Sequence, residues 1–279
     1  MDKLLLIPRS FDEINSTLEY VDGYIIGYKD LSVNMNMYIE INDFNKLPFD
    51  KDIFISVNKN MENSDLSVLR DLLIKFNDYN IKGVLFYDVG VLNIYNNLNL
   101  NYGLVLSQEH LSTNYNTINF FNTKYTYLSS DITLDEINEI SRNTKSILMA
   151  NVFGYLPMFV SKRHIVKNYI DYFKLKDNST INYIEKEDNI YPIIDNNVGT
   201  VCYSSNILNG LKESLNMDVE YKVINSFNIE NIEEVLKIFK GVNKSNVDKY
   251  LTKLDKMFYN LDTAFLNKRT IYKVKKNEK

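Results

Sequence analysis

The chain has 279 residues, of which 45% are apolar and 24% charged, with a formal net charge of −4 and a calculated pI of about 5.4. That length suits one large domain of barrel size, the apolar fraction is too high for a disordered chain, and the acidic balance argues against a dedicated nucleic-acid binder. Cys202 is the sole cysteine, which excludes an internal disulfide and any multi-cysteine metal site built within one chain.

The N-terminal run Leu4-Leu5-Leu6-Ile7 is shorter than a secretory core and leads into Pro8-Arg9, not a small-residue cleavage pattern. No apolar stretch approaches the ~20 residues of a membrane span. The expectation is a cytoplasmic protein without membrane contact. Buried-type strand runs then recur at Lys3–Ile7, Gly23–Tyr28, Asp52–Val57, Gly83–Asp88, Gly103–Ser107, Tyr125–Ser129 and Ser146–Val152. Between them Leu66, Leu69, Leu73 and Phe76 repeat at helical spacing. Leu134, Ile137 and Ile140 do the same behind a Thr133-x-x-Glu136 capping box. Residues 30–50, with Pro48, lack the pattern of a full helix. Residues 165–200 look like an irregular insertion with short strands.

An eighth strand, Val219–Ile224, precedes a helix carrying Ile232, Val235, Leu236 and Phe239 on one face. Residues 243–260 form a polar helical segment, and Leu261–Val274 returns to apolar spacing. Strand–helix alternation predicts parallel strands with crossover helices. The fold class is therefore α/β: a TIM-like (β/α)8 barrel, closed or distorted, spanning 1–279 as one domain with a C-terminal extension over 243–279. A doubly wound open sheet is the alternative, disfavoured because no glycine-rich phosphate loop follows the first strand.

Common motif-defined chemistries are absent: no Walker loop, no G-x-S-x-G elbow, no H-E-x-x-H, no C-x-x-C. In a barrel, however, catalytic groups come from separate strand ends. The candidates there are Asp88 after the fourth strand, Ser107-Gln108-Glu109-His110 after the fifth, Ser129-Ser130-Asp131 after the sixth, and Asn151 near the end of the seventh. They could meet on one face and bind a small polar ligand. The plain alternative is that Asp88 and Asp131 serve helix starts. Lys268, Arg269, Lys273, Lys275, Lys276 and Lys279 make the C-terminus basic, with Glu278 the one acid among them. Such a run is either a solvated tail or a phosphate contact for RNA. No metal site and no cofactor are expected.

Three separated segments carry a family resemblance. Residues 149–164, with Gly154, Leu156 and Ser161 in place, resemble the signature E-V-F-V-H-G-x-L-C-V-A-Y-S-G-x-C. Leu128-Ser-Ser-Asp-Ile-Thr-Leu-Asp-Glu-Ile137 resembles L-S-R-E-L-T-L-x-E-I. Thr263-Ala-Phe-Leu-Asn-Lys-Arg-Thr-Ile-Tyr-Lys-Val-Lys-Lys276 resembles T-G-F-L-x-K-x-T-V-Y-K-V-K-K. This is the pattern of the collagenase-like peptidase family U32. Tyr24-Ile-Ile-Gly27, Ile55-Ser-Val-Asn58, Asp88-Val-Gly-Val91, Ser161-Lys-Arg163 and Asn168-Tyr169 are similar to its short Firmicutes-type members. Those resemble the first of two paired proteins implicated in making 5-hydroxyuridine at the tRNA wobble position.

The departures matter as much. Cluster-bearing relatives hold an iron–sulfur cluster on four cysteines, whereas Pro157 and His164 stand at the first two signature positions here. The chain then has no cysteine until Cys202. An Arg-Glu pair of the family is replaced by Ser130-Asp131. The resemblance thus implies a cluster-free member that works on tRNA beside a longer, cluster-bearing homologue, with Lys162, Arg163, Lys268, Arg269 and Lys273 as RNA or anion contacts. The alternatives are a peptidase, with His164 and Asp88 as testable candidates, and a barrel that binds a small carboxylate through Arg163 or His164 without turning it over.

Overall fold

In the computed structural model, which describes residues 2–108, 110–176 and 179–268, the first six long strands follow one another around a cylinder. β1 (Lys3–Ile7), β2 (Gly23–Tyr28), β4 (Asp52–Val57), β5 (Gly83–Phe86), β6 (Gly103–Leu106) and β7 (Tyr125–Tyr127) pair in parallel in that order, with the two-residue β3 (Tyr38–Ile39) beside β2. β8 (Ile147–Ser161) pairs with β7. β12 (Tyr221–Asn225) pairs in parallel with both β8 and β1, matching Tyr221 to Met149 and Lys3 to Tyr221. That double pairing closes an eight-stranded parallel barrel and excludes the open doubly wound sheet.

The period-two alternation of each strand sorts side chains between two cores. Leu5, Ile25, Phe54, Leu85, Val105, Tyr125, Met149, Tyr221 and Val223 fill the interior. Phe54 meets the Tyr125 and Tyr221 rings edge-on, each at 5.4 Å. Their neighbours Leu6, Ile26, Ile55, Phe86, Leu106 and Ile224 point outward into the helical layer. That layer comprises α1 (Phe11–Thr17), α2 (Asn63–Phe76), α3 (Val89–Asn96), α4 (Tyr115–Phe121) and α5 (Leu134–Asn143). After the arm described next come α7 (Leu211–Ser214), α8 (Ile232–Gly241) and α9 (Val247–Met257). Leu69, Leu73 and Phe76 of α2 are buried, as are Ile232, Val235, Leu236 and Phe239 of α8. Thr133 and Glu136 cap α5 reciprocally. The stretch after β2 forms only β3 and a short 3-10 turn, Ile41–Lys46.

The expected seventh strand stops at Val152; the structure carries β8 on to Ser161. At Gly154 the backbone adopts φ +114°, and a Cβ there would lie 2.3 Å from the Asn225 carbonyl oxygen, so only glycine lets β8 turn out of the barrel against β12. Beyond that point β8 pairs antiparallel with β11 (Gly199–Asn209), which pairs with β10 (Asn189–Asn196) and that with β9 (Asn182–Lys186). Together with α6 (Ile165–Phe173) these strands form an arm standing over the C-terminal ends of the barrel strands. The described residues of 165–200 thus contain a regular helix, α6, and the β9–β10 hairpin, not the irregular insertion expected from the sequence. The two-residue β13 (Leu261–Asp262) joins β11 in parallel.

Candidate functional site at the barrel mouth

The strand ends open into a cavity of about 710 Å3. Its floor and walls come from separate strands: Ile7 at the end of β1, Asn58 after β4, Ser107 and His110 after β6, Tyr127 at the end of β7 with Leu128 to Asp131 after it, Asn151 on β8 and Asn225 on β12. The arm closes one side with Leu156, Pro157, Met158, Tyr191 and Ser204 to Asn206, and the segment after β13 adds Phe265 and Lys268. A smaller cleft of about 390 Å3 adjoins it, sharing Asn34, Asn58, Ser107, His110 and Met158 and reaching Lys59, Glu62, Asp65 and Lys162.

Within a largely apolar lining, most polar groups of the mouth are amides and hydroxyls, with Asp131, Asp262 and Lys268 as the charged ones. The Tyr127 hydroxyl donates to Asn151 Oδ1 at 2.5 Å, and Asn151 Nδ2 donates to Ser130 Oγ at 2.9 Å. Asn58 Oδ1 accepts from Ser32 Oγ at 2.8 Å and from the Val33 amide at 3.0 Å, while its Nδ2 donates to Asn34 Oδ1. Asn36 Nδ2 donates to the Ile7 carbonyl at 2.9 Å and to Asn225 Oδ1 at 2.8 Å. Tyr38 fixes the same loop by donating to the Val33 carbonyl at 2.6 Å; burial pushes its hydroxyl well above the usual phenol range, so it stays a neutral donor. Asn36 Oδ1 and Gln108 Oε1 are buried near this surface with no hydrogen-bond partner among the described residues. The walls therefore present fixed donors and acceptors between apolar side chains, which suits a flat polar heterocycle or a small polar ligand.

Of the residues singled out from the sequence, His110, Asp131 and Lys268 line the mouth, together with Ser107, Ser129, Ser130 and Asn151. Asp88 does not: it caps α3, accepting from Gly90 N at 2.8 Å and Met61 N at 3.0 Å. His164 stands at the N-terminal end of α6 on the arm. Lys162 lines the smaller cleft, 3.7 Å from Glu62, and Arg163 is exposed beside it. Glu109, Arg269 and Lys273 lie outside the described residues. Asn34, Asn58, Tyr127 and Asn225 were not anticipated. Asn58 and Asn225 do follow or end strand runs, a position that could have flagged them, but asparagine is so common in this chain that it carries little signal.

The positions that hold an iron–sulfur cluster in cluster-bearing relatives do not fit one here. Pro157 offers no donor, and Cys202 is buried on β11, where burial pushes its thiol up and the sulfur donates to the Tyr203 carbonyl. One imidazole and one protonated thiol cannot replace four thiolates. No group of acidic, histidine or cysteine side chains among the described residues could hold a metal ion. No described helix is long and apolar enough to cross a membrane.

Residues 32–180 match the family profile described as Peptidase family U32. The chain is 26% identical over 249 residues to tRNA hydroxylation protein P2 of Bacillus subtilis (strain 168), covering 79% of this chain and 81% of that protein; its designation is P2, whereas the short-type motifs resembled the first member of a pair. A solved U32 peptidase superposes with a TM-score of 0.52 at 12% identity, covering 81% of this chain and 92% of that one.

Proposed function

The chain belongs to peptidase family U32, and from that membership we propose that it is a cluster-free component of tRNA wobble-uridine 5-hydroxylation, acting beside a longer, cluster-bearing homologue. The observation that carries this reading is the amide- and hydroxyl-lined mouth cavity in a chain similar to a tRNA hydroxylation protein. A uracil ring presents alternating carbonyl acceptors and an N–H donor. The second Nδ2 hydrogens of Asn58 and Asn151 are the groups left to donate to ring carbonyls, and the second lone pair of Asn151 Oδ1 is left to accept the ring N–H. Leu156, Met158 and Phe265 offer apolar faces for the ring. An enzyme that modifies a base must take that base out of its stack, and a wobble nucleotide in an open loop is among the cheapest to extrude. In this reading Lys268 at the mouth, Lys162 at the adjoining cleft and the neighbouring Arg163 supply phosphate contacts. The single buried cysteine supports the cluster-free role, with redox chemistry supplied by the partner.

The experiment is a nucleoside analysis by mass spectrometry of tRNA from strains lacking this gene, the longer homologue, or both. Re-expressing this chain with the homologue should raise 5-hydroxyuridine above the level given by the homologue alone. If re-expression changes wobble nucleosides in none of these backgrounds, the reading is wrong.

A further inference from the structure

α6 is a helix without a buried residue. Val166 and Ile170 are half-buried toward β10 and β11. The helix is pinned at its start by Ile165 N donating to Thr200 Oγ1 at 2.8 Å and Lys167 N to Asp195 Oδ2 at 2.9 Å. Among the exposed side chains of the helix, which include Ile165, Lys167, Asn168 and Asp171, three are aromatic: Tyr169, Tyr172 and Phe173 are 58%, 80% and 55% exposed. The three rings touch, Tyr169 to Phe173 at 4.7 Å and Tyr172 to Phe173 at 4.9 Å between centroids. They form one cluster and leave outer faces to solvent.

Along this stretch of the chain the charge reverses, although the Asp195 carboxylate of β10 stands at the start of α6. Between residues 162 and 176 stand Lys162, Arg163, Lys167, Lys174 and Lys176 against one acid, Asp171, in a chain whose net charge is −4. Arg163, Lys167, Lys174 and Lys176 form no ion pair among the described residues. A protein-binding patch is depleted in lysine at its centre. Exposed rings interleaved with unpaired cations are instead the make-up of surfaces that stack single-stranded bases and track their phosphates. Lys162 begins the run at the cleft that opens into the mouth, so the same strand could reach both places.

We infer that α6 and its flanks are a platform for unpaired RNA: Tyr169, Tyr172 and Phe173 stack loop bases while Arg163, Lys167, Lys174 and Lys176 hold the connecting phosphates. The inference rests on the RNA-directed reading above and names the part of the substrate recognised, an unpaired loop and not a duplex.

The test is fluorescence anisotropy with the full chain, alone and with the longer homologue added. The probes are a short RNA hairpin with an open loop and a fully paired duplex of the same stem. Tyr172→Ala should weaken loop binding about five- to hundredfold and leave duplex binding unchanged, while Tyr172→Trp keeps the affinity. Lys167→Ala and Lys174→Ala should each flatten the slope of log affinity against log salt by about 0.7. Equal loop binding by wild type and the alanine variants, with and without the homologue, overturns the platform. So does loss of self-association or of the homologue complex in Tyr172→Ala with RNA binding intact, which would make the rings a protein contact. Either result leaves the nucleoside assay of the preceding section to decide the wider reading. Conversely, ring-dependent loop binding with no change in wobble nucleosides would sink that reading and keep the platform.

Discussion

Asp52→Asn tests the end of the barrel opposite the mouth. The Asp52 carboxylate opens β4 and gathers three groups: Lys3 Nζ at 2.7 Å, the Tyr221 hydroxyl at 2.8 Å and Lys82 Nζ at 3.4 Å. Lys3 and Tyr221 tie β4 to the two strands that close the cylinder, β1 and β12, and Lys82 ties it to the start of β5. A hydrogen bond to a charged group contributes about 1.5–3 kcal/mol. Lys3 and Lys82 are, however, 34% and 40% exposed, so solvent screening cuts their share, and the net loss is about 2 kcal/mol. For a chain of this size that lowers Tm by roughly 4–6 °C. Burial opposes ionisation of Asp52, yet the bonds from Lys3 and Tyr221 and the Lys82 charge outweigh it and hold the carboxyl below the usual range. A depressed carboxyl stabilises the fold above its unfolded pKa of about 3.9, and that stability is lost as pH falls through the lower folded value. The gap between wild type and Asp52→Asn should therefore be constant from pH 8 to about 5 and close toward pH 3. Melting followed by circular dichroism across that range checks it. Equal Tm at pH 7, or a gap that persists in acid, would refute the assignment of the energy to this carboxylate. RNA binding at the opposite face should be unchanged.

Gly154→Ala should cost about 3 kcal/mol or more, because its Cβ would sit 2.3 Å from a backbone oxygen in a left-handed conformation; wild-type stability in urea unfolding would contradict the described turn. Asn151→Leu removes the acceptor of the Tyr127 hydroxyl and the donor to Ser130. It should abolish complementation in the nucleoside assay while costing only about 1–3 kcal/mol of stability, and full complementation would remove Asn151 from the site. Gelatin and a diverse peptide library should show no turnover above a mock preparation. Activity that disappeared in His164→Ala or Asp88→Ala would revive the peptidase alternative, although Asp88→Ala also loses a helix cap at about 1 kcal/mol. Anaerobic reconstitution with iron and sulfide should leave the protein colourless, and near-stoichiometric cluster content on the single chain would overturn the cluster-free assignment.

Strand runs and helix starts were legible in the chain because each depends on near neighbours, whereas closure of the barrel rests on β12 pairing with β1 and β8. Runs such as Ile53-Phe54-Ile55 can only be buried on both faces, and Thr133 with Glu136 closes a cap within one turn. The resemblance around Gly154 marked the right place without saying what happens there. The arm was hidden because its pairing joins Thr200 to Ser161 and Cys202 to Phe159, partners about 40 residues apart in the chain that no local pattern links. The sequence of 165–200 reads as an irregular insertion with short strands, so α6 and its exposed rings emerge only in the fold. The mouth divides the same way. Ser107, His110, Asp131 and Asn151 could be placed at strand ends from periodicity alone. Asn34, Tyr127, Met158 and Lys268 join them only when residues far apart in the chain are brought together, since the lining of a cavity is set by long-range register and not by any local pattern.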